Sequence, residues 1–423
     1  MSAELRAGWS RADITPPLGI HMGGYWGRTS GSTHVHDRLQ AKALVLSDSH
    51  ARVALIALDT VALAANDVRI IRERITAAVG IPPQAVMVCC THTHAGPLTL
   101  AFRGMGEVDT DYMACLIEAA AAVVVAAAET VEPATLRYAR ASVQIGSNRR
   151  HPNGPISAGA HALEIVAARR TAILFSHACH PVVLGADNHG ISAEFPGAAC
   201  EHMEECGISA AMFVNGACGD INPSARGSHQ QVVELGQQLG KAVLEALDQR
   251  GSDVTGGGLA WRREVVSLPL MDSPSRPRLV AQRLMLKLRA LMKRRIGPGN
   301  YWDQLVPQAR LQWTEDALTQ ARARSGQATT PFEIQVLRVG AFVLVGMEGE
   351  IFVRYQLDLE NRCATQKVLL CGYANGCIGY VPVAEEYERG GYEVDDAYKV
   401  YPSTRMISPQ SEGIIRQAVA DML

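Results

Sequence analysis

Apolar residues fall in this chain as short runs separated by longer stretches of helical periodicity. The run over residues 53–58 ends at Asp59 and predicts a buried strand. Residues 66–79 repeat their apolar positions at helical spacing, with Asn66 placed to cap the helix. A second run over 85–90 reads as a strand, and the alanine-rich stretch 111–129 as a long helix. A strand at 172–175, a helix at 195–206, a strand at 211–214 and a helix at 230–247 follow. This alternation predicts an α/β fold, a mixed sheet flanked by helices. In such sheets ligands bind beyond the carboxyl ends of the strands.

The pattern changes later in the chain. Residues 276–295 carry eight Lys/Arg and no acid, with Leu279, Leu284, Leu286, Leu288 and Leu291 interspersed, and so predict a basic amphipathic helix. Gly297-Pro298-Gly299 is expected to stop it. Such a helix packs on the core or on a partner subunit in a homo-oligomer, covers a site as a lid, or makes peripheral contact with an anionic membrane through 276–295. Residues 333–339 and 342–345 then read as two strands joined by a tight turn at Gly340-Ala341. No repeat or linker separates this β-rich end from the rest. One domain over 1–423 is expected, with the C-terminal strands completing it and a basic helical insertion at about 272–330.

Composition narrows the function class. The chain has 423 residues, 48% hydrophobic and 19% charged, enough for a large core. A net charge of −2 gives no argument for nucleic acid, and none is expected as a partner. The longest apolar block, 119–128, is short of the roughly 20 residues that span a bilayer and reads as part of a buried helix. The first residues lack a charged-then-apolar leader, and the ten cysteines are irregularly spaced with no Cys-x-x-Cys pair. Reduced thiols and a cytoplasmic enzyme are the expectation.

The chemistry concentrates where predicted strands end. Thr91-His92-Thr93-His94 follows the run at 85–90, and His177 and His180 follow the run at 172–175. Imidazole is the commonest nitrogen ligand for a catalytic divalent metal, and two such loops at neighbouring strand ends would converge on one ion. All thirteen histidines lie between His21 and His229, so a ligand from the C-terminal part must be an oxygen or a sulfur. The loop Asn215-Gly216-Ala217-Cys218-Gly219-Asp220-Ile221-Asn222-Pro223 follows a strand; it is either a tight strand-to-helix turn or a source of backbone N–H groups for a developing oxyanion.

These segments, in order, resemble the neutral/alkaline ceramidase family of zinc-dependent amide hydrolases. Further matching elements are Arg11-Ala12-Asp13-Ile14-Thr15-Pro16, His36-Asp37-Arg38-Leu39, Gly146-Ser147-Asn148-Arg149, Glu350 and Tyr380. The resemblance runs from about residue 8 to about residue 400 and is weak over 258–330. It implies one Zn2+ per chain, held by His92, His180, Glu350 and Tyr380. His180 is preferred to His177 for its spacing to Ile191-Ser192, and Glu350 to Glu348 because it takes the place of the glutamate in the family's Gly-Glu-Phe element. His94 falls on the second active-site histidine and Arg149 on the active-site arginine. Asn222 stands where the family usually has serine, and the family's C-terminal immunoglobulin-like domain is not expected here.

The implied activity is hydrolysis of an N-acyl amide or ceramide-like substrate by a zinc-activated water. His94 would move the proton or stabilise the oxyanion. Arg149 and the loop Gly219, Asp220 and Asn222 would bind the oxyanion or the polar part of the substrate, and Tyr380 would ligate zinc or donate a proton. Asp220 and Glu194 are candidates either for orienting the histidines or for capping a helix. A zinc esterase, lactonase or small-molecule amidase on the same scaffold, and a non-catalytic ligand-binding or scaffolding relative, are the alternatives.

Overall fold

The computed structural model describes residues 4–28, 30–168, 170–296, 301–320, 328–363 and 366–423. Its main element is a nine-stranded mixed sheet. The path runs Ala210–Asn215, Arg170–His177, Gly159–Ala167, Glu132–Ser142, Arg6–Asp13, Gln40–Ser47, Arg52–Leu58, Val86–Cys90, with Ser252–Asp253 joining beside Glu132–Ser142. The two outermost pairs are parallel and the pairs between them antiparallel. Fully buried strands such as Val86–Cys90 explain the unbroken apolar runs in the sequence.

Helices Ala65–Val79 and Thr110–Glu129 cover one part of this sheet; Glu194–Glu205 and His229–Arg250 cover another. Thr110–Glu129 is long and apolar enough to cross a membrane by length and composition, but Leu116, Ala120, Val124 and Ala127 are buried in the core against the sheet. Asp109 caps it, accepting from the N–H groups of Asp111 and Tyr112. Asn66, by contrast, is not a cap. Its helix starts one residue earlier from Ala64, whose carbonyl accepts the first helical N–H groups, so Asn66 lies in the first turn and accepts from Arg69.

The two ends of the sheet approach one another, and this closure builds the site. The Asn215 amide donates to the Thr91 carbonyl at 3.0 Å, joining the carboxyl ends of the two edge strands. A second, four-stranded sheet contributes the segment between them. Its order is Leu259–Pro269, Thr329–Val339, Phe342–Met347, Lys367–Cys371. The expected hairpin is present, Val339 opposite Phe342, with Gly340 at φ 56° in the two-residue turn. Beyond Lys367–Cys371 the chain runs between the edge strands. Gly372 N–H donates to the Asn215 carbonyl at 3.0 Å, Cys90 N–H to Tyr373 at 3.2 Å, and Asn375 N–H to Val88 at 2.7 Å.

Between Leu259–Pro269 and Thr329–Val339 the chain forms two helices, Arg276–Ile296 and Tyr301–Gln320. The first is the expected basic helix. The second lies within the stretch of about 272–330 expected to be helical, although no separate helix was placed there, since Pro307 interrupts its pattern. The expected stop at Gly297-Pro298-Gly299 lies outside the described residues.

Candidate metal centre

His92 leaves the strand Val86–Cys90 with a φ of 68°. That left-handed conformation costs a non-glycine residue of order 1–3 kcal/mol, so the surroundings must impose it. They do so through two backbone bonds: Thr91 N–H to the Leu58 carbonyl at 2.9 Å and His92 N–H to Thr60 at 3.0 Å. The His92 ring stacks on Tyr373, centroids 3.9 Å apart. Its Nδ1 lies 2.6 Å from the Val61 carbonyl. A carbonyl only accepts, so Nδ1 carries the proton and Nε2 presents a bare lone pair. His180 repeats the arrangement: its Nδ1–H and its backbone N–H both donate to the Ile221 carbonyl at 3.0 Å.

These two lone pairs converge with a carboxylate. Glu350 Oε2 lies 2.9 Å from His180 Nε2 and 3.5 Å from His92 Nε2. His94 Nε2 sits 3.1 Å from His92 Nε2, and its buried Nδ1 has no hydrogen-bond partner among the described residues. The ring nitrogens of His92, His94 and His180 all lie within 4.8 Å of one another, close enough to hold one metal ion. Room for His94 depends on Gly24. A Cβ there would stand 2.3 Å from the His94 ring, and the φ of 93° favours glycine in any case. Burial disfavours the charged imidazole, holding His94 well below its usual range and His180 down at about 4, with the Arg149 charge adding to the latter. Burial alone would raise the Glu350 carboxyl, but His180 and His92, by hydrogen bonding and by charge whenever Nε2 is also protonated, hold it well below the usual carboxylate range. Neutral imidazoles fixed by backbone carbonyls, with an ionised carboxylate between them, form a donor set suited to a divalent cation.

Glu350 is supplied by the second sheet. It pairs in parallel with Tyr380, and its N–H donates to the Gly379 carbonyl at 2.9 Å. Two hydroxyls hold its carboxylate: Tyr401 donates to Oε1, and Tyr373 to Oε2 at 3.4 Å. The sequence singled out neither tyrosine. Each is an isolated residue in a segment without periodicity, so nothing local marks it. The Tyr380 hydroxyl, expected at the metal, accepts from Arg149 Nη2 at 2.9 Å. Burial and the nearby Glu350 charge raise that phenol well above its usual range, against the opposing pull of Arg149, and keep it protonated.

Arg149 follows the short strand Gly146–Asn148, which pairs with Ile221–Pro223. Its guanidinium donates through Nε to Glu393 at 2.8 Å, through Nη2 to the Gly219 carbonyl at 2.8 Å and to Tyr380, and through Nη1 to Asn222 Oδ1 at 3.3 Å. Glu393 is thus a further member of the site that motif reading left without a role. An open cleft of about 500 Å³, lined in part by Arg149, His151, Arg389, Tyr392 and Glu393, lies beside this arginine.

Asp220 accepts from Asn148 Nδ2 at 3.0 Å and from Val353 N–H at 2.8 Å, where the helix Val353–Arg362 begins. It therefore ties the Arg149 strand to a helix N-terminus, and burial raises its carboxyl to about 6. Glu194, with φ 59°, accepts from Val183 N–H at 3.0 Å and Leu184 N–H at 2.9 Å, shaping the loop after His180 without touching an imidazole. Neither carboxylate orients a histidine ring directly, because backbone carbonyls already occupy both Nδ1 positions. His177 donates to Gly159 at 2.9 Å, away from the cluster, and burial holds it near pKa 4. Glu348 accepts from Glu333 N–H at 2.9 Å, and burial raises it to about 8.

Comparison with known proteins fits this geometry. The chain is similar to the neutral ceramidase of Pseudomonas aeruginosa, with a TM-score of 0.75 and 20% identity over 100% of this chain and 74% of that one. It is also similar to a ceramidase solved in complex with C2, with a TM-score of 0.76 and 18% identity over 99% of this chain and 75% of that one. No curated protein sequence matches it. Residues 5–238 match the model of the neutral/alkaline non-lysosomal ceramidase N-terminal region, and the chain belongs to that family.

Proposed function

We propose that this chain is a zinc-dependent hydrolase that cleaves the amide bond of an N-acyl lipid. The observation that carries the reading is the convergence of His92 Nε2, His180 Nε2 and Glu350 Oε2, each fixed from behind by a backbone carbonyl or a tyrosine hydroxyl. Family membership and the name of the similar ceramidases support the amide substrate. Zinc bound by these residues would supply Lewis acidity, polarising the scissile carbonyl and making water nucleophilic near neutral pH.

The protein's own groups would do the rest. Arg149 commits Nε, both Nη2 hydrogens and one Nη1 hydrogen to protein acceptors. The remaining Nη1 hydrogen is available for a substrate oxygen, in a guanidinium held rigid before substrate arrives. The Tyr380 hydroxyl, accepting from Arg149, keeps its own proton to donate to the amide oxygen or the leaving nitrogen. His94, half-buried with its Nδ1 unused among the described residues, is placed to carry a proton between water and leaving group. Asn222 occupies one Arg149 hydrogen through its side-chain oxygen.

Metal content by mass spectrometry, wild type beside His180→Ala, tests the centre. About one zinc per chain, lost in the variant, is the expected result. Absence of zinc uptake by the wild type would point to the non-catalytic alternative. Hydrolysis of N-acyl amides in preference to aryl esters and lactones is expected; the reverse preference would make the enzyme an esterase on the same scaffold.

A further inference from the structure

The helix pair Arg276–Ile296 and Tyr301–Gln320 has two apolar sides, and one is exposed. On Arg276–Ile296, Leu279 and Leu286 are two turns apart; Leu279 packs with Trp313, Ala317 and Leu318 of the second helix, and Leu286 is buried as well. Val280, Leu284, Leu288 and Leu291 also recur at helical spacing, yet remain 43–60% exposed. At about 100° per residue this stripe lies opposite Leu279. Arg276 and Lys287 fall along one border of it, and Arg278 and Arg289 along the other. A helix packed on a soluble protein turns its charges outward. Here the outward face is apolar and the cations bracket it, the arrangement of a helix lying in a membrane interface.

The hairpin stands on the wall of the candidate site. Trp313 Nε1 donates to the Thr404 carbonyl at 2.9 Å, Arg310 pairs with Asp396 at 2.7 Å, and Asp316 with Arg103 at 2.7 Å. The segment it braces carries Glu393, the partner of Arg149, and Tyr401, the partner of Glu350. A surface held by the exposed stripe therefore lies close to the residues proposed to act on substrate.

We propose that the stripe Val280–Leu284–Leu288–Leu291, with its flanking cations, docks the protein on an anionic lipid surface from which the substrate is drawn. Lipid is favoured over a second copy of the chain because a two-fold contact through this face would oppose Arg276, Arg278 and Arg289 in both partners, Lys287 being paired with Glu315 at 3.2 Å. The delivery step rests on the lipid-amide reading above; the docking step does not.

The test is co-sedimentation of the purified full chain with phosphatidylcholine vesicles, with and without phosphatidylglycerol. Binding should require the anionic lipid and weaken with salt. Arg278→Glu with Arg289→Glu should weaken it about fivefold or more per charge, and Leu284→Ser with Leu288→Ser at least about tenfold. Both variants should keep wild-type zinc content and wild-type turnover of a soluble short-chain N-acyl amide, while losing turnover of a long-chain amide in vesicles. Wild-type protein that stays in the supernatant, or variants that sediment like wild type, would overturn the proposal. So would a dimer in analytical ultracentrifugation that the leucine variants dissolve. Vesicle binding with no hydrolysis of either substrate would leave the docking intact and sink the hydrolase reading instead.

Discussion

The Tyr401 hydroxyl donates to Glu350 Oε1, while the other oxygen of that carboxylate faces His180 Nε2 at 2.9 Å. Tyr401 thus fixes the rotation of this carboxylate at the histidine cluster, although the two lie 51 positions apart in sequence.

Removing that hydroxyl should loosen the centre without unfolding the protein. Tyr401→Phe keeps the ring against Phe102 and loses only the bond. Zinc affinity is expected to fall about 10- to 100-fold, as for other partners that orient a metal ligand. Competition with a chromophoric chelator measures it, and an unchanged affinity would show that Glu350 needs no such support.

Arg149→Lys should separate binding of the metal from use of it. Lysine keeps the charge but cannot reproduce the planar fork that reaches Glu393, Gly219, Asn222 and Tyr380 together. The expected result is a drop in kcat of about 100-fold or more with zinc content unchanged. Steady-state kinetics beside metal analysis distinguishes this from collapse of the site.

Gly24→Ala places a methyl group 2.3 Å from the His94 ring. His94 must move, and a shift of about 1 Å in a catalytic group costs about 100-fold in kcat. Thermal unfolding should register only the modest cost, about 1 kcal/mol, of an alanine at positive φ. Activity equal to wild type would remove His94 from the mechanism.

Acid stability should depend on Glu333. Burial would raise its carboxyl, but Arg72 at 2.7 Å and Arg263 at 2.6 Å outweigh burial and hold it below the usual value. A depressed folded-state pKa contributes stability above the unfolded value, about 4.3, and loses it as pH falls through the folded value. Denaturant melts should therefore show stability falling below about pH 4, and Glu333→Gln should flatten that part of the curve. The same variant leaves Arg72 buried with one partner fewer, at a cost of about 3–5 kcal/mol at pH 7.

What the sequence alone determined was local and periodic. Apolar runs ended where His92, His180 and Asn215 begin, because a buried strand must stop being apolar where it leaves the core. The histidine-free C-terminal part required an oxygen or a sulfur for any further ligand, and Glu350 lies at His180 as that requirement demands. The mixed α/β sheet flanked by helices was legible for the same reason. What only the tertiary structure decided was which strand ends meet. Closure of the sheet ends through Asn215 and the segment 372–375 brings four parts of the chain to one point, and no local pattern encodes that closure. Tyr373, Tyr401 and Glu393 join the site through single long-range bonds, so they leave no periodic trace. Asn66 was misread because capping depends on where the neighbouring backbone lies. That the Tyr380 hydroxyl meets Arg149 was likewise decided by the packing around a strand end, which spacing does not record.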